Sequence, residues 1–394
     1  MVPPIGFRDD VIHIVYEADA ACAEAMAQQA PPGVHVVPFC LGGEDGAATL
    51  HVTANPFFSS LLEPDPAFGM VTCEVSLSGA LDGVPVQGAR YDARYAEEMT
   101  VVNRVPVAVH ALDGLIAKRV LPVAAGPDFL SLDTQGTEHD ILRGAERAIT
   151  DSVVAIATEI EFRPMYRGQA LFSAILDFTR EHGFDFVGFT HLDAVAPARL
   201  PVGARARDEV AFGDALFFRR LESLPADEST AHLMATKLAF VAACFGYIGT
   251  AVAALDRVAH ATPTSELRAA LAQRPYVRFL DALYRTCSGP QLHDDRAALV
   301  AEIDSFSRRS WPARLAAFCK PADHTADLAP LLRAHGFAEA ADLVRRRRRA
   351  AAPYLAGSVR HIELSRHLRP LALGLYRLPA VRSTYRFLRD LLAR

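Results

Sequence analysis

Over roughly its first 222 residues the chain switches repeatedly between short β-branched runs and helical runs. That alternation restricts this part to an α/β sheet. Strands are predicted at VIHIVY (11–16), VHVVPF (34–39), TLHVT (49–53), FLSLD (129–133), VVAIATEIE (153–161), FDFVGF (184–189) and ALFFRR (215–220). Helices are predicted between them at Ala20–Gln29, Glu138–Ile149 and Phe172–His182. In the last of these, Phe172, Ile175, Leu176 and Thr179 recur at helical spacing, and Gly183 stands where a helix would stop. The stretch from 54 to 104 is less regular and reads as loops over the sheet edge.

A chain of 394 residues exceeds what one core organises, so two domains are expected, 1–222 and 223–394. After about residue 226 strand signals fade and alanine-, leucine- and arginine-rich helices take over, which makes the second domain all-α. Within it, 242–263 and 328–349 share a plan of helix, Gly turn and helix, like a tetratricopeptide-type hairpin. Leu238–Leu255 carries no charge, but Gly246 and Gly249 break it, so it reads as two short packed helices rather than a membrane span. The run Arg345–Arg349 has no aromatic platform beside it and reads as a solvated helix face, not a nucleic-acid contact. The tail 367–394 alternates basic and apolar residues broken by Pro370 and Pro379. Packing on the helical domain is expected for it, with peripheral contact to an anionic membrane as the alternative.

The formal charge of −5 hides an asymmetry. Up to Glu222 there are 16 Lys and Arg against 31 Asp and Glu, a balance of −15; after it 25 stand against 15, a balance of +10. Such halves attract each other, and the basic one favours anionic surfaces. The six cysteines form no CxxC pair, which argues against zinc ribbons and a disulfide framework and fits a reducing, cytoplasmic compartment. MVPPIGFRDD reaches charge too early for a signal peptide.

In open α/β sheets ligands bind beyond the C-terminal strand ends, so polar residues there are the first functional candidates. Glu17 closes the first strand, where a carboxylate suits the paired hydroxyls of a ribose. In FLSLDTQGTEHDILRGA (129–145), Asp133 ends a strand, Gly136 permits a turn, and Glu138 opens a helix whose dipole favours its charge. In TEIEFRPMYRG (158–168), the period of two puts Glu159 and Glu161 on one side of a strand, and Tyr166 and Gly168 follow in a loop. A divalent metal between Asp133 and Glu159 lacks a full ligand set, so no metal is expected.

Taken together, VYEADAA, FFSSLLEPD (57–65), VHALDGL (109–115), FLSLDTQGTEHDILRGAERAI, ATEIEFRPMYRGQALF (157–172) and EHGFDFVGF resemble the FkbM-type family of S-adenosylmethionine-dependent methyltransferases, in order and spacing as well as in wording. The resemblance covers roughly residues 11 to 220. It implies a class I methyltransferase sheet, Rossmann-like, with S-adenosylmethionine as cofactor and a hydroxyl of a sugar, glycan or glycosylated metabolite as small-molecule acceptor. It further implies that Glu17, Asp19, Asp133 and Gln135 bind the donor, and that Glu161 and Tyr166 contact the acceptor. Asp133 is the first choice for the base that takes the acceptor's proton, with His139, Glu159 and Glu138 in the catalytic group.

The sequence departs from that family at its start. The glycine-rich DxGxxxG segment that cradles the donor's amino-acid end should lie about twenty residues before Glu17, beyond Met1. Gly42 and Gly43 follow a later strand and read as a turn. The expectation is either an upstream segment or weak donor binding. The alternative function is therefore a catalytically silent module whose helical domain binds a protein partner.

Overall fold

The computed structural model describes residues 10–81, 84–123, 126–198, 208–259 and 274–287. The chain divides into two compact units, Met1–Leu280 and Asp281–Arg394, and nearly all described residues belong to the first. The second hairpin candidate at 328–349, the run Arg345–Arg349 and the tail 367–394 lie outside the described residues.

The first unit is mixed α/β. It opens with β1 (His13–Tyr16), α1 (Ala20–Gln29) and β2 (Val34–Val37), in which β1 and β2 pair in parallel. There follow β3 (Cys40–Leu41), β4 (Gly46–Thr53), α2 (Pro66–Gly69), β5 (Thr72–Leu81), β6 (Val84–Arg94), α3 (Tyr95–Glu98), β7 (Val101–His110) and α4 (Leu112–Ala117). The second half brings β8 (Phe129–Leu132), α5 (Glu138–Arg143), α6 (Glu146–Asp151), β9 (Ala155–Glu161), α7 (Phe172–Glu181), β10 (Phe184–Val195) and β11 (Glu209–Arg219). These strands form a sheet in the order β10-β11-β9-β8, with β8 and β9 parallel and the other pairs antiparallel.

One core lies under this sheet. Leu130, Leu132, Ile156, Ile160 and Phe217 from the strands meet Ile141, Leu142, Ile149, Ile175 and Phe178 from α5, α6 and α7. Full burial of each such side chain contributes on the order of 2 kcal/mol. The predicted face of α7 is the face that packs here, and Gly183 ends the helix region at φ +85°. A second cluster, Phe68, Val71, Tyr95, Met99, Met165, Tyr166, Val195 and Ala211, gathers residues of the 54–104 stretch around the end of β9.

That stretch corrects the expectation of loops. Residues 72–94 form a β5–β6 hairpin, and β7 joins β3 and β4 in a three-stranded sheet. The alternation in TCEVSLSGAL carried the strand signal, but its serines and the glycines that follow diluted it. The single helix predicted over Glu138–Ile149 is also corrected: it breaks into α5 and α6. Gly144 has no room for a Cβ against Gly42 O, and Asp113 caps the new start by accepting from Arg147 N at 2.7 Å and Ala148 N at 2.9 Å.

After β11 come only helices among the described residues: α8 (Glu228–Cys244), α9 (Ile248–Ala259) and α10 (Pro275–Cys287). Asp227 caps α8 by accepting from Thr230 N at 2.8 Å. The chain turns at Gly246, φ +83°, so Leu238–Leu255 is two packed helices, as its glycines predict. No helix among the described residues is long and apolar enough to cross a membrane.

Candidate functional site

The site is built on the turn from β8 into α5. Gln135 holds φ +58° and Gly136 φ +101°. Such left-handed backbone is costly for a glutamine, so the surroundings must hold it. They do so from several sides. Gln135 O accepts from Ser60 Oγ at 2.6 Å, while its Nε2 donates to Asp133 Oδ1 at 2.7 Å and Glu159 Oε2 at 2.9 Å. The Tyr166 hydroxyl lies 3.1 Å from Gln135 Oε1 and 3.0 Å from Phe58 O. At Gly136 a Cβ would come 2.9 Å from the Tyr166 ring and 3.0 Å from Gln169 Nε2, so a side chain is excluded there.

Glu138 closes the turn from inside. It is 1% exposed, and its carboxylate accepts from Thr134 N at 2.7 Å, Thr134 Oγ1 at 3.0 Å and Gly136 N at 3.0 Å. Burial pushes its pKa up against the pull of these hydrogen bonds.

Asp133 and Glu159 face each other across the ends of β8 and β9. Register pairs Leu132 with Thr158, so the next residues on each strand stand level. Glu159 is pushed up to about 10, first by burial and then by the charges of Asp133, Glu161 and Glu138, and it shares a hydrogen bond with Asp133. Glu159 therefore keeps its proton at neutral pH and stands as a donor at this mouth. Asp133 is the more exposed partner.

Glu161 lies two residues further along β9 at 0% exposure, with the Gln169 side chain beside its carboxyl. Burial, then Glu138, holds it up at about 8. Tyr166 is likewise 0% exposed, and burial followed by the neighbouring carboxylates raises its phenol above the ordinary value.

The fold thus brings together Asp133, Gln135, Glu138, Glu159, Glu161 and Tyr166. His139 stands apart from them, its ring edge-on to Phe178 at 5.7 Å, and burial lowers its basicity. Glu17 and Asp19 form a separate group at the end of β1. Glu17 Oε1 accepts from Asp19 N at 2.9 Å, and Asp19 Oδ1 accepts from Cys22 N at 2.9 Å, capping α1. Two participants were not singled out from the sequence: Ser60 and Gln169. Gln169 Oε1 fixes the loop by accepting from Met165 N at 2.8 Å and Tyr166 N at 3.2 Å. Ser60 lies in the quoted FFSSLLEPD motif, where its position was the available signal.

A mixed α/β fold with its polar residues gathered at the C-terminal ends of two parallel strands is of methyltransferase-like type. The family model described as Methyltransferase FkbM domain matches residues 14–186, so this part of the chain is similar to FkbM methyltransferase domains. Comparison with curated proteins and with solved structures gave no match.

Proposed function

We propose that the first unit is an S-adenosylmethionine-dependent O-methyltransferase acting on a hydroxyl of a sugar, glycan or glycosylated metabolite. The observation that carries this reading is the Asp133–Glu159 pair bridged by Gln135 at the strand ends. In it Asp133 receives the acceptor hydroxyl's proton, Gln135 fixes the carboxylate's direction, and Glu159 retains the proton of the pair. The Tyr166 hydroxyl braces Gln135 from behind. At the end of β1, one Glu17 oxygen is engaged by Asp19 N and the other has no described partner, which fits a ribose hydroxyl. The bound donor supplies the electrophilic methyl group.

Two parallel strands have open sides: among the described residues β1 pairs with β2 alone and β8 with β9 alone. Our reading includes a further strand with a glycine turn on these edges, since backbone N–H groups at such a turn hold the donor's carboxylate end. The same open edges favour the second reading, a catalytically silent module whose helical part binds a protein partner.

The test is methyl transfer from labelled S-adenosylmethionine to a panel of neutral monosaccharides and oligosaccharides, with wild type beside Asp133→Asn. Label in a sugar hydroxyl that disappears in the variant supports the enzyme. No label in any acceptor supports the silent module.

A further inference from the structure

The rim of the mouth is built differently from its floor. Arg104 on β7 and Arg167 in the loop after β9 converge on one carboxylate: Arg104 Nη2 lies 3.5 Å from Glu63 Oε1, and Arg167 Nη1 lies 3.3 Å from Glu63 Oε2. Among the described residues neither guanidinium has another partner, so two positive charges face one negative charge. The neighbouring acid, Asp65, is spent on capping α2, where its Oδ1 accepts from Ala67 N at 2.8 Å. Arg163 is matched one to one with Glu209 at 3.8 Å. The rim thus holds an excess cation within a half of the chain whose balance is −15.

Backbone bonds fix this pair beside the reacting groups. Arg167 N donates to Glu63 O at 2.8 Å and Asp65 N to Met165 O at 2.8 Å, so the two loops are joined without their side chains. Arg167 follows Tyr166, whose hydroxyl lies 3.1 Å from Gln135 Oε1, and Gln135 Nε2 in turn holds Asp133. His51, the register partner of Arg104 on β4, adds to that face a buried Nδ1 with no hydrogen-bond partner.

A guanidinium holds a carboxylate or phosphate best through two parallel N–H bonds. Glu63 divides its oxygens between two arginines and gives neither that geometry, and an exposed pair of this kind is weak. We propose that Arg104 and Arg167 form an anion subsite, and that the acceptor is an acidic sugar or glycan bearing a carboxylate or phosphate near the hydroxyl that is methylated. Glu63 is then a placeholder that the ligand's anion displaces. The acceptor role rests on the methyltransferase reading, while anion binding does not.

NMR titration of the full chain compares glucuronate and glucose 6-phosphate with neutral glucose, and methyl transfer from labelled donor is measured on the same three sugars. At least one charged sugar should bind about tenfold more tightly than glucose at low salt, less so as salt rises, and the tighter of the two identifies the anion. Arg104→Gln and Arg167→Gln should each cut that preference to about threefold or less. Glu63→Gln should raise affinity for the charged sugar about threefold, because it frees both guanidiniums while the backbone bonds keep the loops joined. No preference for either charged sugar, a preference that survives both arginine substitutions, or no gain of affinity in Glu63→Gln overturns the proposal. Methylation of glucose as fast as of both charged sugars leaves the methyltransferase reading standing and overturns the acidic acceptor. Charged-sugar binding as expected with no sugar methylated counts against the methyltransferase reading and leaves the anion subsite standing.

Discussion

Asp133 and Gly136, three residues apart, separate chemistry from scaffolding. Asp133 presents its carboxylate at the strand end with Gln135 directing it. Asp133→Asn should lower turnover by on the order of a hundredfold while leaving donor affinity nearly intact, because the proposed general base is lost and little else. Equal turnover in the two proteins would remove Asp133 from that role. Glu17→Ala should act in the opposite sense, weakening donor affinity first. Gly136→Ala should reduce stability by roughly 1–3 kcal/mol in urea denaturation, since alanine meets both the φ of +101° and the Tyr166 ring. A neutral effect would mean the turn relaxes. The sequence made Asp133 and Gly136 legible because a strand-end acid and a turn glycine have recognisable contexts. Gln135 was less so, since a glutamine at positive φ is held there by Ser60, Tyr166 and Glu159, all distant in sequence.

At the scale of elements, β9 is the unusual piece, a buried strand ending in two carboxyls. Both have pKa values raised by burial, to about 10 for Glu159 and about 8 for Glu161. Below about pH 4.5 both states hold these protons; above it the unfolded chain releases them while the folded one keeps them. Stability therefore falls as pH rises from about 4.5 toward 8, by on the order of 1 kcal/mol per pH unit for each group. Denaturation at pH 5.5 and 7.5 should show this loss, and Glu161→Gln should flatten the slope. A stability that rises over the same interval would contradict the burial of neutral carboxyls.

Element types in the β8–β11 half were legible because Val, Ile and Phe runs alternate there with the amphipathic pattern of α7. The α5–α6 break was not, because Gly144 and Asp113 act through Gly42 O and the N-terminus of α6, contacts that local periodicity does not encode.

For the whole molecule, the ends of β8 and β9 gather Asp133, Glu138, Glu159 and Glu161 at one mouth, a small part of the −15 balance of the first 222 residues. The sequence reading located the mouth through Asp133, Glu159 and Glu161, yet placed the 54–104 stretch at the sheet edge. In the fold this stretch supplies Phe58, Ser60 and Phe68 to the turn and its surroundings. Its contribution depends on long-range pairing such as the bridge between Pro64 and Tyr166, which only the folded chain reveals. The central claim, that this mouth and the end of β1 serve a nucleoside methyl donor, is tested most directly by calorimetric titration of the full chain with S-adenosylmethionine. The account predicts saturable binding of one donor per chain, weakened at least tenfold by Glu17→Ala and retained in Asp133→Asn. No saturable binding, or binding indifferent to Glu17, would contradict it.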